Sequence, residues 1–116
     1  MADTIPALTA EIRAFRDARD WRQFHSPKEL AVAITAEAGE LLQHFVWQDA
    51  AQSAQRACER RDEIAGEIAD VAILLFELAD NLELNLADTM RAKLAKNELR
   101  YPVAKARGSN RKYNEL

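Results

Sequence analysis

The sequence predicts an all-α protein, a four-helix-bundle-like subunit that oligomerises. Three observations lead there. The 116 residues include only three glycines and three prolines, with abundant Ala and Leu and few β-branched residues. Apolar residues recur at helical spacing in four separate stretches. Helix-start signals precede two of those stretches.

The first helix is expected from about Pro6 to Arg19, with Leu8, Ile12 and Phe15 on one face. Asp20 to His25 breaks the periodicity and reads as a connector. Ser26-Pro27-Lys28-Glu29 then combines an N-cap serine, a proline at the first helical position and a glutamate three residues after the cap. The second helix continues to about Phe45, and its stripe Leu30, Ile34, Glu37, Leu41 puts a glutamate where a core residue would stand. Gln48 to Gln55 is polar with weak periodicity and is expected to be a loop. The third helix spans about Ala57 to Leu82, with Ile64, Ile68, Val71, Leu75 and Leu78 as its core stripe. Phe15, Phe45 and Phe76 read as core aromatics. Asn85 caps the fourth helix, which ends near Arg100 before Tyr101-Pro102. The remainder, residues 103–116, is expected to be an extended or mobile tail. The chain is read as one domain, residues 1–116, whose small core favours burial of the remaining apolar surface between copies.

The totals exclude several classes. A net charge of −3 leaves no dominant basic surface for a nucleic-acid polymer. The lone Cys58 precludes an internal disulfide framework and fits a reducing compartment. No basic stretch followed by an apolar run marks a secretory signal, and the longest apolar stretch, Val71 to Phe76, is too short to cross a bilayer. The expected location is cytoplasmic, with no membrane partner.

Chemistry concentrates in two pairs of carboxylates, Glu37-x-x-Glu40 and Glu67-x-x-Asp70, each inside an apolar helical stretch. A spacing of three places both members of a pair on one helical face. Packing of the two helices would converge four anions, and unit charges about 4 Å apart repel by about 4 kcal/mol at an effective dielectric near 20. Solvated helix faces are one reading of such pairs. A cation site is the other, and an all-carboxylate donor set suits a hard ion, Mg²⁺ or Mn²⁺. Bundle sites that hold two irons require Glu-x-x-His on two helices. Here the residues at those offsets are Gln43 and Ile73, and His44 stands four from Glu40 with no counterpart on the other helix. The iron reading fails on its own requirements, which favours Mg²⁺ and phosphate chemistry.

Donors for phosphate lie on the fourth helix, where Lys93, Asn97 and Arg100 share one face at i, i+4 and i+7. A solvated face near a helix C-terminus is the competing explanation. Trp21 and Trp47 stand at the edges of helical segments, where an aromatic face either stacks on a nucleobase or plugs a bundle end. His25, beside the Ser26 cap, either binds phosphate or packs.

These motifs resemble those of the MazG-type all-α nucleoside triphosphate pyrophosphohydrolases, whose mark is E-x-x-E, a gap, E-x-x-D, and a later helix with Lys and Asn. The likeness to the dCTP pyrophosphatase branch rests on Arg19-Asp20-Trp21, Gln23-Phe24-His25, Ala38-Gly39-Glu40-Leu41, Trp47, Asn97 to Pro102, and Arg111-Lys112-Tyr113 with Glu115-Leu116. It runs from about Phe15 to the end of the chain. The resemblance implies hydrolysis of a (deoxy)nucleoside triphosphate to the monophosphate and pyrophosphate, in nucleotide pool sanitation, by a homodimer or homotetramer. It also implies Glu37, Glu40, Glu67 and Asp70 as Mg²⁺ ligands and catalytic carboxylates, with Glu40 preferred for orienting water. Lys93 and Asn97 would hold the phosphates, with Arg100 beside them, while Trp21 and Trp47 border the base and His25 joins the substrate site. Ile12 and Leu74 are apolar where some relatives carry polar or aromatic groups, so dCTP, or a modified dCTP, is an expectation of the likeness alone. The alternatives are the same chemistry on another nucleotide such as dUTP, and a non-catalytic helical interaction module.

Overall fold

Helix ends are set by side chains that satisfy the otherwise unpaired backbone N–H groups of a first turn. In the computed structural model, which describes residues 2–116, Thr4 caps α1 (Ile5–Asp17) by accepting from the Ala7 N–H at 3.2 Å. The predicted connector follows and contains a 3₁₀ turn, Arg22–Phe24. Ser26 caps α2 (Pro27–Gln43), its Oγ accepting from the Glu29 N–H at 3.2 Å. Asn85 caps α5 (Leu86–Arg100) through the Asp88 N–H at 3.0 Å. No strand occurs among the described residues, so the all-α expectation holds.

The stretch expected as a loop is instead α3 (Ala50–Glu59). Asp49 Oδ1 accepts from the Gln52 N–H at 2.8 Å and Gln52 Oε1 accepts from the Asp49 N–H at 2.9 Å, a reciprocal capping box. That box starts a helix whose periodic stripe, Ala50, Ala54 and Ala57, is built from alanines and so lacks the large apolar residues that mark the other helices. The third predicted helix therefore begins later, as α4 (Arg61–Asn81), after a break at Arg60 with φ −114° and ψ 32°. The tail also differs from expectation. It forms α6 (Val103–Ala106) and a 3₁₀ turn at Tyr113–Glu115. The Tyr113 ring meets Tyr101 edge-on at 6.0 Å, with the Arg100 guanidinium 4.8 Å from its centroid.

The described residues form two compact units, one ending at Glu83 and one comprising Leu84–Leu116. In the first, α4 is central: α1, α2 and α3 all pack against it. Leu30, 2% exposed, is buried with Ile64 and Ala79. Ile12, Ile34, Leu41, Phe45, Val71, Phe76 and Leu78 are half-buried. Three expected core residues are not core. Ile68 and Leu75 lie exposed on α4, because the apolar arc of this helix is wider than α1, α2 and α3 cover. Phe15 is 54% exposed, its ring serving as a platform for the Arg19 guanidinium at 3.6 Å. No helix among the described residues is long and apolar enough to cross a membrane.

Candidate metal centre

Packing of α2 on α4 brings the carboxylate-bearing faces together. Glu37, Glu67 and Asp70 each offer an oxygen, and the three atoms lie within 4.8 Å of one another. Glu40, expected as an equal fourth member, stands outside this group. It is exposed on the next turn of α2, yet close enough to hydrogen-bond Glu37 and to act on its charge.

Burial pushes the Glu37 carboxyl above its ordinary value, reinforced by the Glu40 and Asp70 charges, a hydrogen bond with Glu40, and the Glu67 charge. Glu37 Oε2 and Glu67 Oε2 are buried without a hydrogen-bond partner among the described residues. Buried carboxylate oxygens are almost always paired. Two orphaned oxygens from facing helices, in a three-carboxylate cluster, fit a hard divalent cation, which Glu37, Glu67 and Asp70 would hold.

His44 was missed as a neighbour of this site. Its Nε2 lies 3.7 Å from Glu67 Oε1, with the His44 side chain largely buried. The signal was present: His44 is seven residues beyond Glu37, two turns along the same face of the polypeptide.

The expected base-side residues sit on turns. Trp21 is 43% exposed at the start of the 3₁₀ turn, its ring 6.3 Å from that of His25. His25 is half-buried, and its Nδ1 is held by Glu77 at 2.7 Å. Trp47 follows α2 with φ +65°, in the left-handed region that bulky residues avoid, and is 97% exposed. Lys93, Asn97 and Arg100 belong to the second unit. Lys93 is exposed there, and Asn97 and Arg100 are half-buried.

The sequence profile of the MazG-like family matches residues 32–116. The chain belongs to the MazG-like family. It is 38% identical over 116 residues to dCTP pyrophosphatase 1 of Rattus norvegicus, an alignment covering 98% of this chain and 66% of that protein. The identity and coverage are the same for dCTP pyrophosphatase 1 of Homo sapiens, so the chain spans about two-thirds of the length of these relatives. A crystal structure of a pyrophosphatase from Archaeoglobus fulgidus superposes with a TM-score of 0.83 at 38% identity, covering 88% of this chain and 95% of that one. The resemblance drawn from the motifs is borne out at both the family and branch level.

Proposed function

We propose that this MazG-like chain is a metal-dependent nucleoside triphosphate pyrophosphohydrolase, producing a nucleoside monophosphate and pyrophosphate. The observation that carries the metal dependence is the pair of buried, partnerless oxygens on Glu37 and Glu67. The names of the relatives support dCTP as substrate, and a modified dCTP and a role in nucleotide pool sanitation are carried over from the motif resemblance.

Glu37, Glu67 and Asp70 hold the ion, with Glu40 completing the set at its exposed edge. Bound Mg²⁺, or Mn²⁺, supplies charge neutralisation of the triphosphate and polarisation at phosphorus. Glu40, outside the tight group and open to solvent, orients a water for in-line attack and accepts its proton. Lys93, Asn97 and Arg100 bind phosphate oxygens, Lys as a point charge and Arg as a fork. Trp21 and Trp47 stack on the base, with His25 beside Trp21. The contribution of these residues is positioning and fixed charge. Exposed Ile68, Ile73 and Leu75 on α4 support a homodimer or homotetramer in which a second copy covers them.

Half-buried Ile12 and Leu74 offer a base no polar side-chain atoms. That favours one further reading, the same reaction on another nucleotide such as dUTP. A panel of nucleoside triphosphates incubated with Mg²⁺, with pyrophosphate as readout, tests both. Pyrophosphate release from one or more members, abolished by Glu67→Ala, is the expected result. Release from none, or undiminished turnover by Glu67→Ala, rejects the proposal.

A further inference from the structure

Glu77 is 4% exposed on α4, and nothing in the chemistry above uses it. Its carboxylate meets His25 Nδ1 at 2.7 and 3.0 Å, accepts from Asn81 Nδ2 at 3.3 Å, and lies 3.7 Å from Arg16 Nη1. Arg16, also buried, donates to Asp17 Oδ1 and Asn81 Oδ1, both at 2.9 Å. A buried charged cluster of this kind is weak evidence for stability, since well-packed apolar residues of similar volume commonly do as well or better. Its polarity calls for another reason.

That reason lies in what the cluster joins. Arg16 and His25 are the entry and exit of the turn that presents Trp21. The Arg16 carbonyl accepts from the Arg19 and Trp21 N–H groups, both at 3.2 Å. Asp20 is forced to φ +54°, and Gln23 Nε2 clamps it by donating to its carbonyl and its Oδ2 at 3.0 Å each. The Trp21 ring is then seated between Phe15 at 5.9 Å and His25 at 6.3 Å. Glu77 thus grips both ends of a strained turn. It also stands seven residues after Asp70, two turns along the same helix and about 10.5 Å away along its axis. One rigid helix carries Glu67 and Asp70 of the metal group and the anchor for the base-side turn.

We infer that Glu77 is a positioning residue for nucleotide recognition, acting through His25 and Arg16 to hold the Trp21 ring where a base stacks. This rests on the reading of Trp21 as a base-side residue. A neighbouring ion pair supplies the control: Asp80 of α4 accepts from Arg13 of α1 at 2.7 and 3.0 Å and makes no hydrogen bond to the turn, the Arg16 and Arg22 charges reaching it only at longer range.

The test uses Glu77→Leu, which fills the space without charge, and Glu77→Gln, which keeps the side-chain length but removes the charge that holds both His25 and Arg16, should the leucine variant fail to fold. Asp80→Asn is the control. Turnover is measured on the best nucleotide of the panel. Acrylamide quenching of Trp21 is measured without nucleotide in a Trp47→Phe background, where Trp21 is the remaining tryptophan of two. The expected result for either Glu77 variant is a KM raised about fivefold or more, kcat within about twofold, and Trp21 quenching raised about twofold. Asp80→Asn leaves all three near the parent values. Unchanged quenching and KM in a folded Glu77 variant overturn the inference, as does an equal rise in KM from Asp80→Asn. Absence of turnover by the parent protein refutes the proposed activity instead, and the quenching measurement then decides the positioning role by itself.

Discussion

Divalent metal should stabilise this protein strongly, because the three-carboxylate group works against folding until a cation enters it. Glu37 has a carboxyl held above its ordinary value of 4.5, so the native state takes up a proton more readily than the unfolded chain. Metal-free stability therefore falls as pH rises from 4.5 through the raised value, and the full penalty is present above it. A cation that binds only the native state adds RT ln(1 + [L]/Kd), about 2.7 kcal/mol at a hundredfold excess over Kd. For a chain of 116 residues this corresponds to a rise in Tm of roughly 10 °C. Calorimetry of chelator-treated protein at neutral pH, with and without Mg²⁺, provides the assay, and NaCl of matched ionic strength controls for screening. Glu37→Gln should raise the metal-free Tm, since it removes one of the mutually repelling charges, and should lose most of the Mg²⁺ response. The reasoning is refuted if Mg²⁺ does no more than NaCl, or if Glu37→Gln responds as fully as the parent.

Three other outcomes follow from particular residues. Leu30→Ala, at the most buried apolar position, should cost about 3 kcal/mol and lower Tm by roughly 12 °C in thermal melts. Arg13→Ala should lower Tm by roughly 2–4 °C at pH 7. The Arg13 guanidinium, through its hydrogen bonds and charge, holds Asp80 below its ordinary 3.8; the pair's stabilisation is therefore complete above that value and disappears as pH falls through the depressed one. Melts from pH 7 down to pH 2 should show the difference from the parent vanishing at the acid end. Trp47→Gly should leave Tm unchanged or slightly higher, because glycine accepts φ +65° without strain. If Trp47 stacks on the base, the same change raises KM about fivefold or more in steady-state kinetics.

The helices were legible where apolar period and cap coincided. Ser26-Pro27 with the Leu30 stripe located the start of α2, and Asn85 located that of α5. α3 was hard to read because its stripe, Ala50, Ala54 and Ala57, is made of alanines rather than large apolar residues, and its Asp49–Gln52 box stands in a stretch otherwise polar enough for a loop. Within the candidate site, Glu37, Glu67 and Asp70 were legible because spacing of three puts each pair on one face of a helix with an apolar stripe that packs on its neighbour. Glu40 shares that spacing but lies one turn off the contact line, a rotation that sequence spacing alone does not resolve. The Arg16–Glu77–His25 cluster was invisible for a different reason. Its members come from α1, a turn and the far end of α4, and no local period links them.

The exposed positions of α4 show what periodicity measures. Ile68 and Leu75 are seven residues apart, and they extend the stripe of Ile64, Val71 and Leu78 around the helix. A stripe that wide records every surface the helix must hide in its working state, with no distinction between a neighbour in the same chain and one in another copy. Within the first unit, α1, α2 and α3 hide the Ile64 edge and leave the Ile68 edge open. The proposed association accounts for the remainder, and it makes the misplaced core residues informative. A charged substitution at Ile68 should shift the assembly toward smaller species in sedimentation while leaving the helix content of the chain intact. The same substitution at Leu30 should unfold it.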